Sequence, residues 1–322
     1  MAEQLRVGCI ARIDETGLGN QALEFVRHMH PAVVVAVDFS RLPDAMTQHR
    51  GRFPDSTLTT WRGVGFHFDN PAALEQLATC DVIFSIETFY DQRVAQLPVP
   101  SILYVNPELF RGYGAPTYWA PTSWLLDQLP NGTRVMPWPV ATDRPYRRGT
   151  GLLHVAGRNA SYDRNGTVPA AEAARRTGQM LNVMHQSADL PSIKGIRRMG
   201  TVDSYWDLYA YGSVLVMPRR YGGMCLPVQE ALAAGLPVVM TDTEPNRDWP
   251  VRLVKATAGK VRTVASYPIP TADVDIDALV DALRDIDRWA EANRAAQADW
   301  VAAHSWDTLL PVWQQALKEA AK

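Results

Sequence analysis

The residues best placed to do chemistry in this chain sit on three glycine-bearing turns and one glutamate. YGGMCLPVQEALAAGLPVVMTD, Tyr221 to Asp242, opens on Gly222-Gly223 and carries Glu230 among Leu, Val and Ala. A carboxylate in apolar surroundings must accept hydrogen bonds, because burying it unpaired is costly. Its donors are either the hydroxyls of a ligand or a structural partner within the fold. The turn AGRNASYDRNGT holds Gly157, Arg158, Arg164 and Asn165 ahead of a helical pattern. Guanidinium groups stay charged and can grip phosphate through two N–H bonds, so two of them beside a helix start fit a diphosphate. Two solvated surface arginines are the plain alternative. The turn DETGLGNQ contains Gly17 and Gly19. Its backbone can approach a phosphate or a sugar hydroxyl at the positive end of a helix, or it is simply a tight turn. A third glycine, needed for the dinucleotide fingerprint, is missing.

These turns need a scaffold, and the alternation of short apolar runs with helical patterns supplies it. LRVGCIARI, AVVVAVDF, DVIFSIE, SILYVNP and RVMPWPV read as strands of a first half. Between them GLGNQALEFVRHM, NPAALEQLATC and SWLLDQL, the last with Ser123 as cap, read as helices. ATDRPYRRGTG is polar and rich in Pro, Gly and Arg, as a linker is. The pattern then restarts with strands LLHVAG, LNVMHQ, VLVMP and PVVMTD and helices VPAAEAARRTG, SYWDLYAYG and LPVQEALAAG. Strand–helix alternation predicts parallel sheets with right-handed crossovers. The expected architecture is therefore α/β, with two facing Rossmann-like doubly wound domains over residues 1–145 and 146–300. All three glycine turns then follow the carboxyl ends of strands, where open parallel sheets bind ligands. The tail is helical in pattern, and Trp306, Leu309, Leu310, Trp313 and Leu317 form a stripe that must be buried.

Bulk properties narrow the classes. The 322 residues suit two domains, and 47% hydrophobic with 20% charged residues suits an ordinary globular protein. Cys9, Cys80 and Cys225 have neither disulfide nor zinc spacing, which fits a reducing, cytoplasmic setting. No apolar run is long enough to span a bilayer, so integral membrane association is not expected. A net charge of −2 disfavours a strong sequence-independent grip on nucleic acid. The charge is uneven, with 13 Lys or Arg against 6 Asp or Glu between Arg134 and Arg220, so a locally basic face is compatible with the sequence.

Taken together, these motifs resemble the GT-B glycosyltransferases, in particular the retaining, nucleotide-sugar-dependent "glycosyl transferases group 1" type. LPVQEALAAGLPVV is similar to that group's signature, in which a glutamate at the position of Glu230 binds the ribose hydroxyls of the nucleotide. Gly157-Arg158 matches its Gly-Arg diphosphate motif, and Arg164 falls where the group has a lysine. HSWDTLLPVWQQAL resembles its last helix, which implies that residues 301–322 cross back to the N-terminal domain. TGLGNQ, GRNASYDRNGT and MPRRYGGMCLPVQEALAAG also resemble a compact branch found in actinobacteria, phages and viral metagenomes. Some phage members of that branch glycosylate modified DNA bases or virion proteins.

The resemblance implies sugar transfer from a UDP- or GDP-sugar to an acceptor hydroxyl, with the donor as co-substrate and neither cofactor nor metal. Donor contacts would come from Gly17, Gly157, Arg158, Arg164, Asn165, Arg219, Arg220, Gly222, Gly223, Met224, Cys225, Leu226 and Glu230. Gly19, Asn20, Arg158, Arg164 and Glu87 would take part in catalysis, and Glu87, Asn106 and Glu108 would lie on the acceptor side. The acceptor would be a polymer or small molecule, with hydroxymethylated DNA and virion or cell-surface polymers as candidate classes. Two departures stand out: Gly222 replaces the group's first signature glutamate, and Ile86 stands where a functional histidine is common. Three rivals therefore stay open: a nucleotide-sugar-binding protein without catalysis, a nucleotide-sugar hydrolase or epimerase on the same fold, and, against the broken glycine fingerprint, a dehydrogenase.

Overall fold

The computed structural model describes residues 5–14, 16–38, 51–60, 67–110, 112, 117–157, 163–186, 193–264 and 267–322. The chain divides into two compact units, residues 1–137 with 309–322, and residues 138–308. The first unit is built on a seven-stranded sheet: β1 (Val7–Ile13), β2 (Val33–Asp38), β3 (Thr57–Thr60), β4 (Val82–Ile86), β5 (Ser101–Tyr104), β6 (Thr117–Ala120) and β7 (Arg134–Val135). Its order is β3-β2-β1-β4-β5-β6-β7 and every pairing is parallel. Helix α1 (Gly17–Met29) follows β1 and α2 (Ala72–Leu77) precedes β4. α1 buries Ala22 and Phe25 and stops at His30, which turns left-handed and donates its N–H to Val26.

The second unit carries a six-stranded parallel sheet: β8 (Leu152–Gly157), β9 (Leu181–His185), β10 (Ile196–Gly200), β11 (Val214–Met217), β12 (Val238–Thr241) and β13 (Arg252–Val254), in the order β10-β9-β8-β11-β12-β13. Helix α3 (Thr167–Thr177) follows β8, α4 (Leu226–Ala233) follows β11, and α5 (Ile276–Arg284) and α6 (Ile286–Ala303) follow four short strands. Those strands, β14 (Ala256–Ala258) to β17 (Ala272–Val274) with β15 (Arg262–Val264) and β16 (Tyr267–Ile269) between them, pair antiparallel as β14·β17 and β15·β16. Side chains alternate across the main sheet. Leu152, Val214, Val216 and Val239 join one apolar cluster, and Leu153, Leu215, Met217, Val238 and Met240 join the other. Both faces are covered, which is why these strands read as unbroken apolar runs.

Helix α7 (Trp306–Ala320) begins in the second unit, and its residues from Leu309 onward belong to the first. There Trp313 lies in an aromatic cluster, with ring centroids 6.1 Å from Phe25, 5.8 Å from Phe84, 5.6 Å from Tyr104 and 5.5 Å from Trp119. Its indole N–H donates to the Pro137 carbonyl at 3.2 Å, so the polar edge of the ring is satisfied within the cluster. Trp306, Trp313 and Leu317 of the expected stripe are buried, whereas Leu309 and Leu310 are half-buried.

Three elements differ from the sequence reading. The strand expected over RVMPWPV is only two residues long, because Pro137 and Pro139 cannot donate to a ladder. SWLLDQL is not an α-helix but a single 3-10 turn, Leu126–Gln128, after a left-handed Leu125; Ser123 contributes its carbonyl and not its side chain. SYWDLYAYG winds as a 3-10 segment, Tyr205–Tyr211.

Candidate functional site

Both sheets have the strand order 3-2-1-4-5, extended beyond strand 5, so in each the order reverses between the first strand and the fourth. That is the point at which a crevice opens at the carboxyl ends of the strands. In the second unit it lies between β8 and β11, and the turns that follow these two strands are tied together. The Arg220 N–H donates to the Arg164 carbonyl at 2.8 Å, and Arg164 Nε donates to the Tyr221 carbonyl at 3.3 Å. The Arg164 guanidinium also lies over the Tyr221 ring, 5.2 Å from its centroid. Asn165 Nδ2 reaches back to the carbonyls of Val155 and Ala156 at 3.2 and 3.1 Å, beside Gly157. Gly166 is forced: a Cβ there would meet the Pro218 carbonyl oxygen at 2.2 Å, and its φ is 76°.

Gly222 is the centre of this arrangement. Its φ is 132°, a conformation that favours glycine. A Cβ there would lie 1.9 Å from Arg219 Nη2 and 2.4 Å from Arg164 Nη2. The two guanidinium nitrogens are therefore no farther apart than the sum of those distances. Arg219 is 2% exposed and also donates from Nη1 to the Met224 carbonyl at 3.2 Å, bracing the Gly222–Met224 turn from within. The two guanidinium groups thus lie side by side at Gly222.

The remaining expected residues are distributed as follows. Arg220 pairs with Asp273 on β17 instead of turning toward Gly222. Cys225 is buried and precedes α4, and its carbonyl accepts from Val228 and Gln229. Leu226 is half-buried and starts the helix, and Gly223 is buried beside Gly222. Glu230 is 8% exposed, one turn into α4, and accepts a hydrogen bond from the hydroxyl of Tyr209. Arg158 lies outside the described residues. The start of α3 differs from expectation: Asp163 takes the N–H groups of Thr167 and Val168 at 2.6 and 2.9 Å. Those two amides are capped by a carboxylate, so the guanidinium groups are what this turn presents to an anion. Behind it, His154 is fully buried and bridges β8 to β11 and α3, with Nδ1 2.7 Å from the Val216 carbonyl and Nε2 2.9 Å from the Thr167 hydroxyl. Burial holds its pKa below the ordinary histidine value, so it is a neutral ring with Nδ1 donating and Nε2 accepting.

In the first unit the corresponding point lies between β1 and β4. Gly19 packs α1 onto the strand end, where a Cβ would meet the Asp14 carbonyl oxygen at 2.0 Å. Gly17 is the first residue of α1. Asn20 Oδ1 accepts from Arg52 at 2.8 Å, and Arg52 also donates to the Asp14 carbonyl. The Asp14 carboxylate accepts from Arg12, from the Thr16 hydroxyl and from the Thr16 N–H. After β4, Glu87 and Tyr90 have φ of 68° and 61°. Left-handed backbone is uncommon for these residue types and is characteristic of over-determined functional turns. Glu87 is half-buried, and its N–H donates to the Tyr104 carbonyl of β5 at 2.8 Å. The Tyr90 hydroxyl bonds to Arg12, and burial pushes its pKa far up. Asn106 is half-buried just beyond β5, and Glu108 is buried two residues later. Ile86 is buried in β4. Tyr209, Asp163, Arg12, Asp14 and Tyr90 were not picked out from the sequence. Asp163 was findable as a polar residue just ahead of a helix; Tyr209 was not, because its partner lies 21 residues away.

Among the described residues, no group of three or more His, Cys, Asp or Glu side chains is placed to hold a metal ion, and no helix is long and apolar enough to cross a membrane.

Residues 174–286, inside the second unit, match the family described as "Glycosyl transferases group 1". No curated protein sequence matches the chain. Several solved structures share its fold. Anabaena HepE, in complex with UDP and glucose, is 9% identical with a TM-score of 0.70, over 98% of this chain and 100% of that one. Sucrose-phosphate synthase from Thermosynechococcus elongatus is 13% identical with a TM-score of 0.66, over 98% and 99%. WaaG, a glycosyltransferase of lipopolysaccharide biosynthesis, is 12% identical with a TM-score of 0.62, over 97% and 99%. The matched segment lies in the unit that holds Arg164, Arg219, Gly222 and Glu230, and the chain has the GT-B fold of these glycosyltransferase structures.

Proposed function

We propose that the protein transfers a sugar from a nucleoside diphosphate sugar to an acceptor hydroxyl, with retention at the anomeric carbon, and that the donor binds the second unit. The observation that carries this reading is the meeting of Arg164 and Arg219 at Gly222, on the crevice end of a sheet whose next helix holds a buried carboxylate. The guanidinium groups and the backbone of the Gly222–Met224 turn face the diphosphate. Negative charge grows there as the glycosidic bond breaks, and donors fixed before the reaction lower that barrier. Arg158 joins them on this reading, and the leaving group needs no metal ion. Glu230 accepts from the ribose hydroxyls. Anabaena HepE, which shares the fold, has been seen with UDP and with glucose, which supports a nucleotide-linked hexose as donor.

On the acceptor side, the incoming hydroxyl is assigned to Glu87 in its left-handed turn, together with Asn106 and Glu108. The decisive assay incubates the protein with labelled UDP- and GDP-sugars and an acceptor panel that includes hydroxymethylated DNA, oligosaccharides and proteins. Transfer is expected, and Glu230→Gln should weaken nucleotide binding roughly 10-fold or more while leaving the fold intact. Donor breakdown with no acceptor product would move the reading to a hydrolase, and nucleotide binding without turnover would move it to a binding protein. For DNA as acceptor, the basic stretch is probed at Arg147. Arg148 serves the fold, donating to the Ala234 carbonyl at 3.0 Å and to that of Gly235 where α4 ends.

A further inference from the structure

Strands β8 and β11 pair over two positions, Leu152 with Val214 and Leu153 with Leu215, and then part. From there β8 stays with β9 as far as Gly157, and β11 stays with β12 as far as Met217. The crevice of the second unit opens at this split. His154 and Val216 are the first residues past it on the two strands. The His154 side chain has no exposed surface and spans the gap. Its Nδ1 donates to the Val216 carbonyl at 2.7 Å, and its Nε2 accepts from the Thr167 hydroxyl at 2.9 Å. A carbonyl can only accept, so the first bond fixes the tautomer and with it the direction of the second. Both ring nitrogens are thus used. The ring is rigid, so its two bonds set a spacing between β11 and the first residue of α3.

Thr167 is also where the turn that carries Arg164 ends. Its N–H goes to Asp163 Oδ1 at 2.6 Å, which closes residues 163–167 into one loop, and Gly166 within that loop lies against the Pro218 carbonyl. Beyond β11, the Arg220 N–H donates to the Arg164 carbonyl. The loop is therefore tied to β11 and its exit at two levels, at Val216 through the imidazole and four residues later at Arg220. One tie leaves a hinge, whereas two set an angle.

We infer that His154 is a positioning residue for the donor diphosphate: its imidazole is a spacer that sets the Arg164 loop against the exit of β11, and so the separation at which the Arg164 and Arg219 guanidinium groups meet at Gly222. The inference rests on the diphosphate reading of that turn given above. Donors already in place need not be ordered when the ligand arrives, whereas a loop held less firmly must be. Loss of the spacer therefore weakens the part of the affinity that comes from the diphosphate. The nucleoside part is kept, since Glu230 is carried by α4 and not by α3.

The test is titration calorimetry on the intact chain. Of UDP and GDP, the one that binds more tightly is used, with the nucleoside of the same base as the second ligand. The proteins are the wild type, His154→Phe, Thr167→Val, Thr167→Ser and Arg219→Met, each checked for folding by circular dichroism and thermal melting. The wild type should prefer the diphosphate. In His154→Phe and Thr167→Val that preference should fall roughly 3- to 10-fold with nucleoside affinity unchanged, and Thr167→Ser, which keeps the hydroxyl, should restore it. A merely structural role would lower the melting temperature without splitting the two ligands. If His154→Phe fails to fold, Thr167→Val carries the test, because it leaves the histidine and its bond to Val216 in place. A Thr167→Val protein with the wild-type preference, or with equal losses for both ligands, overturns the positioning role; the diphosphate reading stands as long as Arg219→Met lowers the preference. An Arg219→Met protein with the wild-type preference, or a wild type with no preference, overturns the diphosphate reading and this inference with it.

Discussion

The two sheets share a strand order and a switch point, yet the residues at that point behave in opposite ways. At the β1/β4 end the polar groups bond to one another: Asp14 accepts from Arg12 and Thr16, Asn20 accepts from Arg52, and Gly19 seals the helix onto the backbone. At the β8/β11 end two guanidinium groups converge on a glycine, and the acid nearest to them in sequence, Asp163, is occupied in capping α3. The same topology therefore yields one self-contained turn and one that concentrates positive charge. Fold alone did not decide this; the absence of a side chain at Gly222 and the arginines around it did.

The contrast can be broken most forcefully at the glycines. A Cβ at Gly19 meets a backbone oxygen, which cannot step aside, so Gly19→Ala should cost about 3 kcal/mol or more. Thermal melting of the variant would show it, and an unchanged melting temperature would mean the turn is looser than it looks. A Cβ at Gly222 meets the far ends of two side chains, but its φ of 132° is itself unfavourable to alanine, so Gly222→Ala should lower both the melting temperature and the affinity for the nucleoside diphosphate. Arg219→Met comes next. It removes the buried cation under the Gly222–Met224 turn, and affinity for the nucleoside diphosphate should fall about 10- to 30-fold, roughly 1.4–2 kcal/mol, while affinity for the nucleoside is retained. Equal losses for both ligands would assign Arg219 to the fold alone.

A smaller effect concerns His154. Its folded pKa lies below the unfolded value of about 6.5, so the unfolded chain takes up the proton first as pH falls. Stability is full above that value and declines below it, by at most about 1.4 kcal/mol per pH unit. Melting temperatures between pH 7.5 and 5.5 should drop, and His154→Gln should flatten the slope. Smallest is Glu87→Gly. Glycine relieves the left-handed strain at φ 68°, so stability should rise by about 0.5–1 kcal/mol while turnover falls. A gain in stability with full activity would remove Glu87 from the reaction.

The parts of the fold that could be read from the sequence are those with water on neither face. β1, β2, β4, β8, β9, β11 and β12 all show as apolar runs because both of their faces are covered. The outer strands β3, β10 and β13 do not: TLTT carries Thr at three of four positions, and IRRMG exposes both arginines. The three-residue strands β14 to β17 are too short to show any period. At the site, Glu230 and Gly222 were conspicuous as exceptions to their surroundings. Tyr209 was invisible, because an aromatic residue in an apolar segment looks like any other core residue until its hydroxyl finds a partner. The fate of Arg220 was equally hidden, since Asp273 lies 53 residues on, in a hairpin with no pattern of its own.

Trp313 has a consequence for the order in which the protein is made. Its ring fills the space between Phe25, Phe84, Tyr104 and Trp119, which leave the ribosome between 194 and 288 residues earlier. The first unit to be synthesised thus cannot complete its core until Trp313, on the far side of the second unit in sequence, has been added. Until then its aromatic side chains stand open, which makes the nascent first unit the part most in need of shelter during translation.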